Sequence, residues 1–375
     1  MAVPPDDPTL SLFSVLREDG STDPGTDPFL PKETLLAMYE QMLRIRRIDE
    51  RMLGKQRQGK VGFYGTITGQ EATPIATGLV LRPGDWVFPA LRESAIMLVR
   101  GFPLARWLAQ VYGNERDVLC GRQMPSHQSG RAVNQVTWSS CIGPQVPQAV
   151  GAAMAMKRDN ARRAPDERTV AVGFLGAGAT SEPDFHAAMT LAGLWKPPVV
   201  IVCQNNHWSI SVPTAKQTAS RTIAVKAHAY GVRGARVDGN DILAVHRVLG
   251  EAVERARRGE GPSFVECVTY RMGPHSSSDD PTRYRAQEEV ERWGRRDPIA
   301  RLERYLEAAE LLDAEVRAQL EARLREELDA ALAEVEPLGP PPRESLFDGV
   351  YAELPPHLRE AREELLALPP APSGH

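Results

Sequence analysis

Gly176 and Gly178 sit where an apolar run gives way to a helical pattern, in the stretch Gly-Ala-Gly-Ala-Thr-Ser at 176–181. Glycines at such a break let the backbone approach a phosphate closely, and the free N–H groups of a following helix start can hydrogen-bond it. Ligands of open α/β sheets bind at these carboxyl ends of strands. Taken alone, the turn is as readily a tight strand–helix connection as a phosphate loop. A dinucleotide site fits worse. The third glycine of Gly-x-Gly-x-x-Gly is Ser181 here, and Leu194, Trp195 and Lys196 stand where an acidic residue should follow. The next apolar run closes on Asn205 and Asn206, then His207 and Trp208. A second strand ending at the same edge would set an amide oxygen beside the first turn.

The elements that must hold these residues are legible as runs and periods. Stretches 85–91, 169–176, 198–206 and 262–271 are apolar and of strand length, and the 169–176 and 198–206 runs are apolar on both faces. Strands covered by helices on both sides read that way, which predicts an α/β fold with a doubly wound, mostly parallel sheet. Residues 184–195 read as the crossover helix of a βαβ unit. Leu35, Met38, Tyr39, Met42 and Ile45 share one helical face, and Arg44–Arg47 on the same helix read as a solvated or salt-bridged surface. Three regions follow: an extended arm over 1–30, the α/β domain over 31–285, and a helical region over 286–375. In the last, helices are expected over 300–312, 315–335 and 357–366, around a Pro-rich break at 339–342.

Composition excludes several classes. Net charge is −4 on 45 basic and 49 acidic side chains, which gives no support to a nucleic-acid or anionic-membrane partner. No apolar run approaches the roughly 20 residues of a membrane helix. Four scattered cysteines without a CxxC pair argue against a disulfide framework or zinc site and suit a reducing compartment. The N-terminus lacks the basic, apolar or Arg/Ser-rich features of a targeting segment, so a cytoplasmic location is expected.

The turn and the Asn pair together resemble the thiamin diphosphate motif, which opens Gly-Asp-Gly or Gly-Glu-Gly and closes Asn-Asn about thirty residues later. Longer stretches extend the likeness from about residue 35 to 366: FYGTITGQEA (63–72), GRQMPSH (121–127), GATSEPDFHAA (178–188), VDGNDILAV (237–245) and YRMGPHSSSDDPTRYR (270–285). The chain resembles the alpha subunit of the decarboxylating component of branched-chain 2-oxo acid dehydrogenase; the GRQMP and FY signatures favour that class over pyruvate or acetoin enzymes.

The resemblance implies thiamin diphosphate and Mg²⁺ as cofactors. It places Arg92, Gly176, Gly178, Ala179 and Gln204 near the diphosphate, and Ser140 and Ile142 on the aminopyrimidine ring. Leu91 stands where a cofactor-contacting Tyr is usual, and Cys141 where Pro is usual. Asn206 and the Trp208 carbonyl match metal ligands, while Ala177 replaces the acidic one. Glu182 and Asp184 lie on the following helix and are read as turned away, so weakened metal binding is expected. His275 matches the active-site histidine, and Ser276 a serine phosphorylated in mitochondrial relatives, read here as a loop hydrogen-bonding group. Phe63 and Tyr64 are candidates for an apolar wall around a branched substrate, with core packing as the other reading. His127, His186, His207 and His228 are not spaced as a metal cluster and are read as structural. The implied partners are a beta subunit, which supplies the other half of the site in an α2β2 heterotetramer, a dihydrolipoyl acyltransferase core and a small 2-oxo acid. A subunit that stabilises its partner without catalysis, suggested by Ala177 and Leu91, is the rival from another class.

Overall fold

Alternate residues of the central strands enter two different cores, as strands buried on both faces must. The computed structural model describes residues 7–369. Its strands are β1 (Trp86–Phe88), β2 (Ala171–Gly176), β3 (Val199–Asn205), a short hairpin of β4 (Trp208–Ser209) and β5 (Val212–Pro213), β6 (Arg233–Asp238) and β7 (Ser263–Val268). The main sheet runs β1-β2-β3-β7-β6, with every neighbour parallel. The helices are α1 (Lys32–Arg57), α2 (Ala72–Val80), α3 (Ala95–Val99), α4 (Leu104–Tyr112), α5 (Gln145–Asn160), α6 (Pro183–Trp195), α7 (Ile242–Arg257), α8 (Gln287–Gly294), α9 (Pro298–Ala308), α10 (Ala314–Val335) and α11 (Pro356–Ala367).

Ala171, Leu175, Val199, Ile201 and Cys203 pack under α5 and α6, through Val146, Ala149, Phe185 and Met189. Val172, Phe174, Val200, Val202 and Val265 face the other way, into a larger core with α1, α2, α4, α7, α9 and α10. The doubly wound parallel sheet is therefore as the apolar runs predict. On the first face, a Cβ at Gly173 would lie 2.8 Å from that of Ala149, so only glycine lets α5 settle this close to β2.

β6 is a strand that the apolar runs do not reveal. Its Arg-Gly-Ala-Arg start is too polar, because it lies at the sheet edge. Residues of the N-terminal arm cover that edge: the Phe13 amide donates to the Arg236 carbonyl at 3.0 Å, and the Asp238 amide to the Phe13 carbonyl at 2.9 Å. The arm is less peripheral than its composition suggests, since Val15 and Leu16 are buried in the main core. Asp241 explains their placement. One carboxylate oxygen caps α7 by accepting from the amides of Leu243 (3.1 Å) and Ala244 (3.0 Å), and the other accepts from those of Val15 (2.6 Å) and Leu16 (2.7 Å).

The helices after residue 286 pack on the α/β domain itself. Arg47 and Arg51 of α1 pair with Glu321 and Asp329 of α10, and Arg46 pairs with Asp297 at 2.8 Å. The basic run on α1 is thus a salt-bridged face, and α8 is a further helix. Across the molecule, Arg257 and Asp85 form a fully buried bidentate pair at 3.0 and 2.8 Å. Removing one partner leaves an uncompensated charge in a dry interior. Arg257→Met should therefore destabilise the fold by about 3–5 kcal/mol, read as a lowered denaturation midpoint.

Candidate functional site

The carboxyl ends of β2, β3 and β7 converge on one crevice: Gly176 is in register with Gln204, and Asn205 with Val268. Gly178 opens the short 3-10 turn after β2. A Cβ there would meet the Ser209 hydroxyl at 1.8 Å and the Gln217 amide oxygen at 2.7 Å, so only glycine fits. Ala177 and Ala179 are buried methyls beside it.

Arg92 is the centre of the arrangement. It is 5% exposed; its guanidinium donates to the Thr66 carbonyl and, at 2.9 Å, to the His275 carbonyl. Arg271, at the end of β7's chain, is buried too and donates to the Ile210 carbonyl and the Tyr284 hydroxyl, both at 2.7 Å. Neither forms an ion pair with a carboxylate among the described residues. Burial and the neighbouring Arg271 charge together pull the Arg92 guanidinium down to about 10, and burial lowers Arg271 as well. Two buried guanidiniums with no carboxylate paired to either among the described residues suit the binding of an anion.

His275 stands between them, half-buried. Burial, then Arg92, then Arg271 push its imidazole down to about 4, so the neutral ring is the resting form. Asp279 holds its loop, accepting from the His275 amide at 2.7 Å and the Tyr284 hydroxyl at 2.6 Å. Ser276 is buried, with its hydroxyl 3.2 Å from that of Ser278.

Residues 63–71 form a strap that ties these parts together. Thr66 receives Arg92, the Ser277 amide donates to the Tyr64 carbonyl at 3.1 Å, and Gln70 accepts from the Asn206 amide at 2.9 Å. Asp49 on α1 fixes the strap by accepting from the Tyr64 hydroxyl (2.8 Å), the Ile67 amide (2.7 Å) and the Thr68 hydroxyl (3.1 Å). Burial pushes this carboxyl up to about 7. Glu71 is held by Arg46 at 2.5 Å. Tyr64 is thereby taken into the core, 3% exposed and edge-on to Trp107, so it offers no open wall to a substrate. Phe63 is part-exposed and remains available as one.

The other expected residues fall around this core. Leu91 packs over Gly65. Gln204 donates to Glu93, whose buried carboxyl is pushed up to about 7 by desolvation, and the Gln204 amide oxygen has no partner among the described residues. The Asn206 amide oxygen accepts from the Trp208 amide at 3.2 Å. His207 and Ile210 flank Trp208 with left-handed φ values of 68° and 52°, and the Arg271 bond to the Ile210 carbonyl ties down this β4–β5 turn. Ser140 and Ile142 stand apart, exposed before α5. Ser140 is tied to the strap through His127, which touches both Ser140 and Phe63. Glu182 and Asp184 are exposed, and a cavity of about 650 Å³ lined by Arg233, Arg247, Arg255 and Glu251 lies at the opposite end of the sheet.

A doubly wound α/β protein with a cationic crevice at its switch point is the class these elements define. Residues 39–343 match the family described as dehydrogenase E1 component. The chain is 42% identical over 346 residues to the 3-methyl-2-oxobutanoate dehydrogenase subunit alpha of Mycobacterium tuberculosis, covering 90% of this chain and 88% of that one. It is 40% identical over 336 residues to 2-oxoisovalerate dehydrogenase subunit alpha 2, mitochondrial, of Arabidopsis thaliana (89% and 70%). It is 38% identical over 358 residues to the mitochondrial 2-oxoisovalerate dehydrogenase subunit alpha of Homo sapiens (95% and 79%). The chain belongs to the dehydrogenase E1 component family.

The crevice suits a diphosphate. In addition to the Arg92 guanidinium, the buried Gln70 amide nitrogen and Arg271 Nε, which have no hydrogen-bond partner among the described residues, can donate to an anionic oxygen. A divalent cation is less well provided for, since Asn206 and the Trp208 carbonyl are neutral and position 177 offers a methyl group.

Proposed function

We propose that this chain is the alpha subunit of a branched-chain 2-oxo acid dehydrogenase, taking part in the oxidative decarboxylation of branched-chain 2-oxo acids with acyl transfer to lipoamide. The observation that carries the reading is the pair of buried arginines near His275 with no carboxylate paired to either among the described residues; the names of the relatives supply the substrate class. Thiamin diphosphate, when bound, supplies the nucleophilic carbon that adds to the 2-oxo group and the electron sink for decarboxylation.

The chain's own residues do the rest. Arg92, Arg271 and Gln70 would hold the diphosphate, with Gly178 allowing the backbone close approach. Neutral His275 can accept a proton at a bare ring nitrogen or, once protonated, return it, and the nearby arginine charges favour its return. Phe63 would face the branched side chain. Exposed Ser140 and Ile142 leave the aminopyrimidine side open to solvent, which favours completion of the site by a beta subunit in an α2β2 assembly. That assembly would dock on an acyltransferase core, in a cytoplasmic setting that suits four free cysteines.

Mg²⁺ would be held by Asn206, the Trp208 carbonyl, the diphosphate itself and water. With no carboxylate at position 177, its grip is weak. Ala177→Asp should strengthen Mg²⁺-dependent cofactor binding about tenfold, and an unchanged affinity would contradict this. Calorimetric titration of the assembled subunits with thiamin diphosphate, with and without Mg²⁺, tests the whole reading. Saturable binding is expected, whereas no binding under either condition would point to a subunit that only supports its partner.

A further inference from the structure

We propose that His127 is a positioning residue that commits the hydroxyl proton of Ser140 inward, so that the Ser140 oxygen faces the cofactor's aminopyrimidine ring as a hydrogen-bond acceptor. This rests on the thiamin diphosphate reading above.

His127 is 2% exposed, and its ring is clamped. Trp138 stacks on it with centroids 3.7 Å apart and planes 15° from parallel, and Phe63 leans against it at 5.9 Å. The Trp138 indole N–H donates to the Ser126 carbonyl at 2.8 Å, and the Ser126 hydroxyl donates to the Phe63 carbonyl at 2.8 Å, so the clamp is itself fixed. His127 Nδ1 lies 3.1 Å from the Pro125 carbonyl oxygen. A carbonyl has no proton to give, so Nδ1 carries the hydrogen. Burial favours the neutral ring, and Nε2 is then bare.

Nε2 is 2.6 Å from the Ser140 hydroxyl oxygen, so Ser140 must be the donor. A hydroxyl has one proton and two acceptor positions. With the proton directed at His127, exposed Ser140 can only accept from whatever lies outside. The exocyclic amine of an aminopyrimidine is a donor and matches that polarity. Without the imidazole the hydroxyl turns freely, and its proton competes for the same space. The same ring touches Phe63, so one fixed side chain aligns the cofactor contact and the proposed substrate wall.

The test uses the chain assembled with its beta subunit and two probes, thiamin diphosphate and its analogue lacking the exocyclic amine. His127→Phe keeps the aromatic packing and removes the acceptor, while Ser140→Ala removes the hydroxyl at an exposed position. Each should raise the dissociation constant for thiamin diphosphate about five- to tenfold, and the double variant should be no worse than either, because both remove one interaction. All three should bind the analogue as the unaltered assembly does. Effects that multiply, that persist with the analogue, or that are absent in His127→Phe would overturn the proposal and leave His127 a packing residue. Should His127→Phe fold poorly, as a thermal melt would show, His127→Leu, which also lacks the acceptor, takes its place in the same comparison. An unaltered assembly that binds neither probe would instead overturn the cofactor assignment beneath it.

Discussion

Arg92→Met is expected to weaken thiamin diphosphate binding about 100-fold while leaving the empty protein as stable as before or more so. The two directions follow from one cause. The guanidinium is buried beside Arg271, and its hydrogen bonds go to the Thr66 and His275 carbonyl oxygens. Its fall to about 10 means that the charge is less well stabilised there than in water, although the guanidinium stays protonated at neutral pH. The diphosphate relieves that cost and gains charge-assisted hydrogen bonds, and methionine forfeits both. A structural arginine would behave oppositely, with stability lost and affinity unchanged. Calorimetric titration beside a thermal melt separates the two.

His275→Ala should lower kcat about 100-fold or more, with cofactor affinity little altered, because the side chain stands beside the diphosphate arginines without supplying a charge. Its pH behaviour gives a second check. The folded imidazole titrates at about 4, below its ordinary value, so the folded state favours the neutral ring. The stability this contributes is present above the ordinary histidine value and is lost as pH falls from there toward 4. Burial is the first cause and stays when cofactor binds, whereas the repulsion from Arg92 and Arg271 is offset by the diphosphate. NMR of the labelled imidazole should therefore show His275 titrating at higher pH with thiamin diphosphate than without. A downward or absent shift would place the anion elsewhere.

Local patterns carried the fold further than they carried the site. Strands with apolar residues on both faces, such as 171–176 and 199–205, announce a doubly wound sheet because burial on two sides leaves no polar alternation. β6 escaped for the converse reason: its Arg and Gly residues lie at an edge that the N-terminal arm completes, through partners more than 200 positions away. The turn at 176–181, Asn206, Arg92 and His275 were legible as types in a familiar order. Arg271 was not, since at the end of a strand run it reads as a terminating charge. Its meaning comes from lying buried near Arg92, which no spacing encodes. Asp49 left one faint signal, an acid on the apolar stripe of α1 between Ile45 and Met52. Tyr64 and His127 show the limits in both directions. The first reads equally as a pocket wall or a core residue and is held in the core by Asp49; the second reads as structural and bonds Ser140. Side-chain hydrogen bonds across long chain separations decide both.

The most direct measurement is steady-state kcat/KM of the chain assembled with its beta subunit, on 3-methyl-2-oxobutanoate and on pyruvate, with a lipoyl acceptor. Each added methyl in an apolar pocket is worth about 1–3 kcal/mol. Expected is a preference of about tenfold or more for the branched acid, lost together with cofactor binding in Arg92→Met. Equal turnover of the two acids, a preference for pyruvate, or an intact assembly inert toward both would contradict the assignment.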